Sequence, residues 1–325
     1  MSDQRGRARA LELVEEGRRF LVSCHRRPDA DALGSALGFA AILRDLGKEA
    51  VVWVPEDLAE NLRFLPGEIA RELPEGSFDS AWVMDTASEA LLPVGLPGPE
   101  LRGPLVVVDH HAGHDDVGDV VLRDIEACAT GEVVMNLAEA LGRRPVPRAA
   151  AVPLYAAIVA DTGGFRYSQT NARVMRLGAE LLEQGADAWT TAYELFEGWR
   201  PERLKLLSAI LDTLEVDCGG KLAVLRVTRE MLARTGATDE MVEGMVNYGR
   251  MLRGVEVAVL FWEFPGDSGA LDTKVSFRSR GTVDVAAVAA LLGGGGHRAA
   301  AGAQLPRPLR EVEALTRGKL RALLP

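Results

Sequence analysis

Four short apolar segments constrain the fold of this chain more than any other feature of its sequence. They cover residues 20–24, 49–54, 80–84 and 105–108. A helical pattern at 32–46 lies between the first two and ends at Gly47. Strands that are apolar along their whole length are typical of a parallel sheet covered on both faces. We therefore predict an α/β fold with an N-terminal, Rossmann-like parallel sheet that has helices on both faces.

A second, smaller α/β domain is predicted towards the C-terminus. Further helices are predicted at 130–141, 148–160, 171–184 and 187–212, the last broken near Pro201. Strands are then predicted at 222–228, 255–264 and 271–279, and a helix at 284–292. At about 100–200 residues per domain, a chain of 325 residues fits two domains. We expect the first at 1–190, a helical connection at 191–215, and the second at 216–325.

Polar residues directly follow three of the apolar segments. His25 follows the first, Asp85 follows the third, and Asp109, His110 and His111 follow the fourth. Ligands of parallel sheets bind beyond the carboxyl ends of the strands. We therefore expect these side chains to gather at one edge of the sheet. Each has a simpler explanation alone, since such an Asp often starts a loop and a His pair can lie on the surface by accident.

The segment from His25 to Asp31 is predicted to be a rigid loop. Pro28 fixes its own φ and biases the preceding residue towards extended conformations. Asp29 and Asp31 lie two residues apart, and neighbouring carboxylates repel each other unless a cation lies between them. Asp31 is also a candidate N-cap of the following helix. The alternative is that the two residues form only a turn and a helix cap.

Asp161 follows a largely apolar helical run and precedes two glycines. It is either a further ligand or part of a helix-terminating turn. Of the five histidines, three lie in the strand-end segments. Sets of His and Asp suit hard or borderline divalent ions such as Mn²⁺. A pair of such ions can stabilise both the attacking and the leaving oxygen of a phosphoryl displacement. Together, these residues predict metal-dependent phosphate chemistry.

A run of four glycines, Gly293 to Gly296, precedes His297 and Arg298. Consecutive glycines let backbone N–H groups approach an anion closely, and His297 and Arg298 add further donors. Arg278 offers a guanidinium fork that suits phosphate. The alternative for the glycine run alone is a flexible hairpin loop.

Charge and composition narrow the class of substrate. The chain has 37 basic and 47 acidic residues and a formal net charge of −10. This balance argues against binding long nucleic acid, which requires many phosphate contacts from Lys and Arg. Cys24, Cys128 and Cys218 are far apart and odd in number, which fits a reducing cytoplasm. Neither a signal peptide nor a membrane span is expected.

The motifs, taken in order, resemble those of the DHH phosphoesterases. The N-terminal motifs are His25-x-x-Pro28-Asp29-x-Asp31-x-x-Gly34, Asp85, Asp109-His110-His111 and Asp161-Thr162-Gly163. The C-terminal motifs resemble the DHH-associated domain of that family and comprise Arg278-Ser279, Gly293 to His297, and Ala300-Ala301-Gly302. The resemblance covers most of the chain. It is greatest to the two-domain oligoribonucleases (nano-RNases) that are also 3′-phosphoadenosine-5′-phosphate phosphatases.

This resemblance implies roles for individual residues. His25, Asp29 and Asp85 would bind one Mn²⁺, and Asp31, Asp85, His110 and Asp161 would bind a second, with Mg²⁺ or Co²⁺ as substitutes. Asp109 would orient a neighbouring His, and His111 would face the scissile phosphate. The substrate-binding set would comprise Arg278, Ser279, Gly294, Gly295, Gly296, His297 and Arg298. His114 matches no family position and is expected to be an exposed loop residue. The family also implies a homodimer.

The implied activity is Mn²⁺-dependent hydrolysis of short oligoribonucleotides, 3′-phosphoadenosine-5′-phosphate, or both, to mononucleotides. One alternative is a phosphodiesterase for cyclic di-AMP or the linear dinucleotide pApA. A RecJ-like exonuclease for single-stranded DNA would need an extended basic channel, and a pyrophosphatase would have a different C-terminal domain. A non-catalytic nucleotide-binding protein would be suspected if a metal ligand were missing, but all six expected ligands are present.

Overall fold

The computed structural model describes residues 2–113, 115, 117–266 and 269–324, with the side chains of residues 2–4 and of His297 outside this description. The chain divides into two compact units, and the division falls between Gly198 and Trp199. Each unit has its own sheet and its own hydrophobic core. The predicted connection at 191–215 includes residues of both units.

The first unit contains a parallel sheet of five strands. The strands are β1 (Arg19–Cys24), β2 (Glu49–Val52), β3 (Ser80–Met84), β4 (Leu105–Asp109) and β5 (Val120–Arg123). Their spatial order is β2-β1-β3-β4-β5, and all neighbouring pairs are parallel. The strands that precede His25, Asp85 and His110 are therefore adjacent in the sheet.

The first unit has seven described helices, and most of them lie on one face of this sheet. They are α1 (Ser2–Glu16), α2 (Ala30–Asp45), α3 (Pro99–Arg102), α4 (Thr130–Ala140), α5 (Arg148–Asp161), α6 (Ala172–Glu183) and α7 (Ala188–Phe196). Side chains of α1, α2, α4 and α5 share the larger core with Phe20, Trp82 and Val106. The other face, with Leu21 and Val83, is covered mainly by connecting segments. A helical layer was expected there, but the segments between β2 and β4 contain several Pro and Gly residues and form only short helical turns.

Helix α2 begins at Ala30, two residues before the predicted start at 32. The side chain of Asp29 accepts a hydrogen bond from the backbone N–H of Ala32 and caps the helix, whereas Asp31 lies inside the first turn. The prediction that Asp31 is the N-cap is therefore wrong. Both carboxylates lie at the positive end of the helix dipole, which offsets part of the effect of burial on their charged forms.

The second unit has a mixed sheet of six strands. They are β6 (Glu215–Asp217), β7 (Leu222–Val227), β8 (Val257–Pro265), β9 (Leu271–Ser279), β10 (Gly295–His297) and β11 (Ala300–Leu305), in the order β10-β11-β9-β8-β7-β6. Only β7 and β8 pair in parallel among these described strands. The helices are α8 (Pro201–Leu211), α9 (Arg229–Thr235), α10 (Val246–Arg250), α11 (Val285–Ala290) and α12 (Leu309–Arg321).

These helices lie on both faces of the second sheet. Alternate residues of β7 and β8 point to opposite sides, as the period of a strand requires. Val224 and Val259 share a core with α11 and α12, whereas Leu225 and Leu260 share another with α8, α9 and α10. The predicted α/β class, with a parallel N-terminal sheet and a smaller α/β unit after it, is confirmed. Within the described residues, no helix has the length and apolar character needed to cross a membrane.

Candidate metal centre

Three neighbouring strand ends form the base of the candidate site. His25 follows β1, Asp85 follows β3, and Asp109 ends β4 just before His110 and His111. Because β1, β3 and β4 are adjacent and parallel, their carboxyl ends lie at the same edge of the sheet. Asp85 and Asp109 are buried, with 4% and 0% of their surfaces exposed.

Two helices bring further carboxylates to this edge. Asp29 and Asp31 lie at the start of α2, and Asp161 is the last residue of α5. The two helices approach closely at Gly34, where an added Cβ atom would lie 2.4 Å from the carbonyl oxygen of Pro153. No side chain fits in that space without movement of the backbone. The glycine of the His25–Gly34 motif therefore allows the close approach of α2 and α5, which also carry the carboxylates.

The first cluster consists of His25, Asp29 and Asp85. The Nε2 atom of His25 lies 3.8 Å from Oδ1 of Asp29 and 3.5 Å from Oδ2 of Asp85. One nitrogen and two carboxylate oxygens thus face a common point within 4.8 Å of one another.

The second cluster consists of Asp31, His110 and Asp161. The Nε2 atom of His110 lies 3.7 Å from Oδ2 of Asp31 and 3.1 Å from Oδ2 of Asp161. The same nitrogen lies 3.7 Å from Oδ1 of Asp85. The two oxygens of Asp85 therefore face different clusters, Oδ2 towards His25 and Oδ1 towards His110.

Hydrogen bonds fix the orientation of both cluster histidines. The Nδ1 atom of His25 lies 2.9 Å from the carbonyl oxygen of Arg26, and Nδ1 of His110 lies 3.2 Å from that of Ala127. A carbonyl oxygen only accepts, so each Nδ1 carries a hydrogen atom. Each Nε2 then faces carboxylate oxygens, and a positive charge at this atom removes the repulsion between lone pairs. Metal-binding histidines are oriented in the same way.

The neighbouring carboxylates raise the pKa of both cluster histidines, so a proton supplies the positive charge at each Nε2 atom. Burial opposes the charged form of His110, but the hydrogen bond to Asp161 and the charge of Asp31 outweigh it and raise the pKa of His110 to about 11. In His25, burial is likewise outweighed, chiefly by the hydrogen bond to Asp85, and the pKa rises to about 9. Burial and the charge of Asp85 raise the pKa of Asp31 well above its usual range. The residues therefore fit a divalent cation, which would replace these protons.

His111 lies with Asp85 and His110 in a third group of possible ligand atoms, and it also pairs with Asp109. The Nδ1 atom of His111 lies 2.6 Å from Oδ1 of Asp109, and the same nitrogen lies 3.5 Å from Oδ1 of Asp85. The buried carboxylate of Asp109 fixes the imidazole and stabilises its positive charge. Burial opposes that charge, but this hydrogen bond outweighs it and the pKa of His111 rises. Asp109 thus orients His111, whereas His110 is oriented by a backbone carbonyl.

Unfavourable backbone conformations also lie in the candidate motifs or within two residues of them. Arg27, Asp85 and Phe165 have φ values of 57°, 59° and 61°, in the left-handed region. Such conformations cost about 1–3 kcal/mol each and are held by the surrounding structure. At Asp85, this backbone directs a buried carboxylate between the two clusters.

Some residues that contact the clusters were not predicted from the sequence. Thr130 and Gly131, at the start of α4, and Ser35, in α2, donate hydrogen bonds to Asp31, and Thr130 also donates to Asp85. Thr130 is 99 positions from Asp31 in the sequence. Their residue types are common at helix starts, and only their placement in three dimensions connects them to the site.

Most residues of the predicted substrate-binding set lie on β9 and β10 of the second unit, the two strands on either side of β11. Arg278 and Ser279 end β9, Gly295 and Gly296 lie in β10, and Ala300 of β11 pairs with Arg278. Ser279 is buried, and its hydroxyl accepts a hydrogen bond from the N–H of Gly281. Arg298 donates from Nε to the carbonyl oxygen of Gly281 at 3.1 Å.

Two of the glycines in this set are required by the hairpin itself. A Cβ atom at Gly294 would lie 2.1 Å from the carbonyl oxygen of Gly302, and one at Gly296 would lie 2.6 Å from that of Ala300. The glycine run is therefore partly a β-hairpin strand rather than a loop. The side chain of His297 and the whole of His114 lie outside the described residues.

Comparisons with known proteins agree with this architecture. The model of the DHH family, N-terminal domain, matches residues 19–158, and that of the DHHA1 domain matches residues 219–319. The bifunctional oligoribonuclease and PAP phosphatase NrnA of Thermus thermophilus is 33% identical over 303 residues, which cover 92% of this chain and 87% of that protein. An exopolyphosphatase-related protein from Bacteroides fragilis superposes with a TM-score of 0.85 at 23% identity, over 98% of this chain and 97% of that one.

A second group of relatives consists of longer proteins. The cyclic-di-AMP phosphodiesterase GdpP of Geobacillus thermodenitrificans is 28% identical over 90% of this chain, but the match covers only 46% of that protein. The fold and the cluster of His and carboxylate groups define a phosphoesterase, a hydrolase of ester bonds. The chain belongs to the DHH family, whose members are metal-dependent phosphoesterases.

Proposed function

We propose that this protein is a Mn²⁺-dependent phosphoesterase that hydrolyses short oligoribonucleotides, 3′-phosphoadenosine-5′-phosphate, or both, to mononucleotides. The observation that carries the proposal is the pair of His and carboxylate clusters on either side of Asp85. Mg²⁺ and Co²⁺ are the expected substitutes for Mn²⁺, because the donors are carboxylate oxygens and imidazole nitrogens.

The six predicted ligands divide between two metal positions. His25, Asp29 and Asp85 would hold the first ion, and Asp31, Asp85, His110 and Asp161 the second, in keeping with the two clusters. Two bound ions would supply a nucleophile near neutral pH and stabilise the charge on the attacking and leaving oxygens. We refer to these as the first and the second metal position.

His111 is proposed to act on the scissile phosphate. Its Nδ1 atom lies 2.6 Å from Oδ1 of Asp109, and we propose that Nε2 exchanges a proton with the phosphate or donates a hydrogen bond to it. Asp109 stabilises the imidazolium form and so favours His111 as a donor to a phosphate oxygen or to the leaving oxygen. Asp109 is an orienting residue in this proposal and does not itself bind metal.

Arg278, Ser279, Gly294 to Gly296, His297 and Arg298 are proposed to bind the end of the substrate away from the scissile bond. Guanidinium groups and backbone N–H groups of glycine-rich segments suit a terminal phosphate. The net charge of −10 supports short substrates over long nucleic acid. We further propose that the chain forms a homodimer and acts in the cytoplasm.

The second candidate function is hydrolysis of cyclic di-AMP or of pApA. It is supported by the similarity to the cyclic-di-AMP phosphodiesterase GdpP over 90% of this chain. Both candidates use the same metal positions, and they differ in how the nucleotide is bound.

Hydrolysis of a matched substrate panel with Mn²⁺ tests the proposal. The panel contains RNA of two to five nucleotides, 3′-phosphoadenosine-5′-phosphate, pApA, cyclic di-AMP and long single-stranded DNA. Preference for short RNA or 3′-phosphoadenosine-5′-phosphate supports the proposal, and preference for cyclic di-AMP or pApA supports the second candidate. Preference for long DNA, or no turnover of any substrate, would overturn both.

A further inference from the structure

Thr130 contacts two of the proposed metal ligands at once. Its backbone N–H donates to Oδ2 of Asp31 at 2.7 Å, and its hydroxyl donates to Oδ1 of Asp85 at 2.8 Å. All three residues are buried, with exposed fractions of 0% for Thr130 and Asp31 and 4% for Asp85. In such an environment, each hydrogen bond restricts the orientation of a carboxylate and favours its charged form.

The contacts of Thr130 are all on the side of the second metal position. Oδ1 of Asp85, which accepts from the hydroxyl, is the oxygen that faces His110, whereas Oδ2 faces His25. Asp31 belongs to the second cluster alone. A change at Thr130 should therefore act on the second position and leave the first largely unaffected.

The segment that carries Thr130 is itself held firmly. The buried carboxylate of Glu132 accepts from the N–H of Cys128 at 2.8 Å and pairs with Arg173 at 2.9 Å. The carbonyl oxygen of Ala127, in the same segment, holds Nδ1 of His110. The segment thus orients three ligands of the second position, namely Asp31, Asp85 and His110.

We propose that Thr130 is a positioning residue that sets the affinity of the second metal position selectively. This inference rests on the proposed function, because it uses the same ligand assignment. Removal of the hydroxyl takes one donor from Oδ1 of Asp85, whereas the contact of Oδ2 with His25 keeps the carboxylate directed towards the first position. Loss of such an outer contact typically reduces metal affinity about 10–100-fold.

The test compares Mn²⁺ affinity in two backgrounds, each with one metal position disabled. In the His25→Gln background, binding reports the second position, and in the His110→Gln background it reports the first. Mn²⁺ is titrated into the metal-stripped full chain and free Mn²⁺ is followed by electron paramagnetic resonance. Thr130→Val, of nearly equal volume, should weaken binding about 10–100-fold in the His25→Gln background and leave it unchanged in the His110→Gln background. Thr130→Ser, which keeps the hydroxyl, should restore the affinity.

A control variant and a second substitution protect the test against loss of fold. Thr316→Val makes the same change at a buried threonine of the second unit and should leave Mn²⁺ binding unchanged. Circular dichroism of the metal-free proteins checks that each variant is folded, and Thr130→Ala replaces Thr130→Val if the latter is not. Equal Mn²⁺ affinity with and without the hydroxyl, or equal weakening in both backgrounds, would overturn the inference.

The substrate panel separates this inference from the proposed function. A chain that binds Mn²⁺ at both positions, shows the selective effect of Thr130→Val, and hydrolyses no substrate of the panel would support the inference while the proposed function fails. If the unchanged chain hydrolyses short RNA or 3′-phosphoadenosine-5′-phosphate but Thr130→Val does not alter Mn²⁺ affinity, the proposed function is supported and the inference fails. Absence of Mn²⁺ binding to the unchanged chain would overturn both.

Discussion

At the scale of single residues, Asp85 has the greatest effect on the proposed chemistry because its two oxygens face both clusters. Asp85→Asn tests this role well, since Asn tolerates the left-handed backbone found at this position better than Ala does. The change should lower the amount of bound Mn²⁺ and reduce kcat about 10³-fold, because metal ions contribute several kcal/mol and each 1.4 kcal/mol is tenfold in rate.

Metal content and turnover are measured together for this variant. Asp57→Asn, at a fully exposed carboxylate, is the control and should retain both. Near-normal turnover by Asp85→Asn would contradict the assignment of one carboxylate to both metal positions.

Asp109 has a different predicted effect, because it orients His111 rather than a metal ion. Asp109→Asn keeps the size of the side chain but removes the charge that stabilises the imidazolium. We expect kcat to fall about 10²–10⁴-fold while bound Mn²⁺ stays at the normal level. Steady-state kinetics and metal analysis check this together, and loss of Mn²⁺ would place Asp109 among the ligands instead.

At the scale of helices and strands, the approach of α2 to α5 brings Asp29, Asp31 and Asp161 together. Gly34→Ala should lower the free energy of unfolding by about 1–3 kcal/mol, because the new methyl group would meet the backbone of Pro153. Thermal and urea unfolding measure the change. Gly318→Ala is the control, since this helical glycine has open space around it and should gain about 0.5–1 kcal/mol. Equal stability of Gly34→Ala and the unchanged chain would show that the approach is looser than described.

Much of the secondary structure was predictable from the sequence. The apolar strands β1, β3 and β4 are short and buried, and Gly47 marks the end of α2, so the α/β pattern is visible in the sequence. Strands β5, β6, β10 and β11 were missed. They are short or rich in Gly and Ala, and pairing with neighbours rather than local preference makes them strands.

The clustering of the candidate ligands was also predictable, because they lie at strand ends, at the start of α2 and at the end of α5, all at one edge of the sheet. Their supporting contacts were not. Thr130 donates a hydrogen bond to Asp31, which is distant in the sequence. Glu132 forms an ion pair with Arg173, which lies on another helix. No local pattern distinguishes them from an ordinary helix start. The cap of α2 was misassigned to Asp31 because both carboxylates precede the apolar stretch and only the backbone decides between them.

At the scale of the whole molecule, metal binding and substrate binding are proposed to reside in different units. Arg278→Ala should raise KM about 10–100-fold, since a hydrogen bond from a charged group contributes about 1.5–3 kcal/mol. Bound Mn²⁺ should not change, because the proposed ligands all lie in the first unit. Kinetics and metal analysis check the two parts separately, and loss of Mn²⁺ from this variant would contradict the division.

The most direct test of the account is titration of the metal-stripped chain with Mn²⁺, following bound metal and hydrolysis of a short RNA in the same samples. The two clusters around Asp85 predict that two ions bind per chain and that full turnover requires both. Full turnover in the presence of a chelator, or binding of Mn²⁺ without any requirement for it in hydrolysis, would contradict the central claim that this sheet edge is a two-metal phosphoesterase centre.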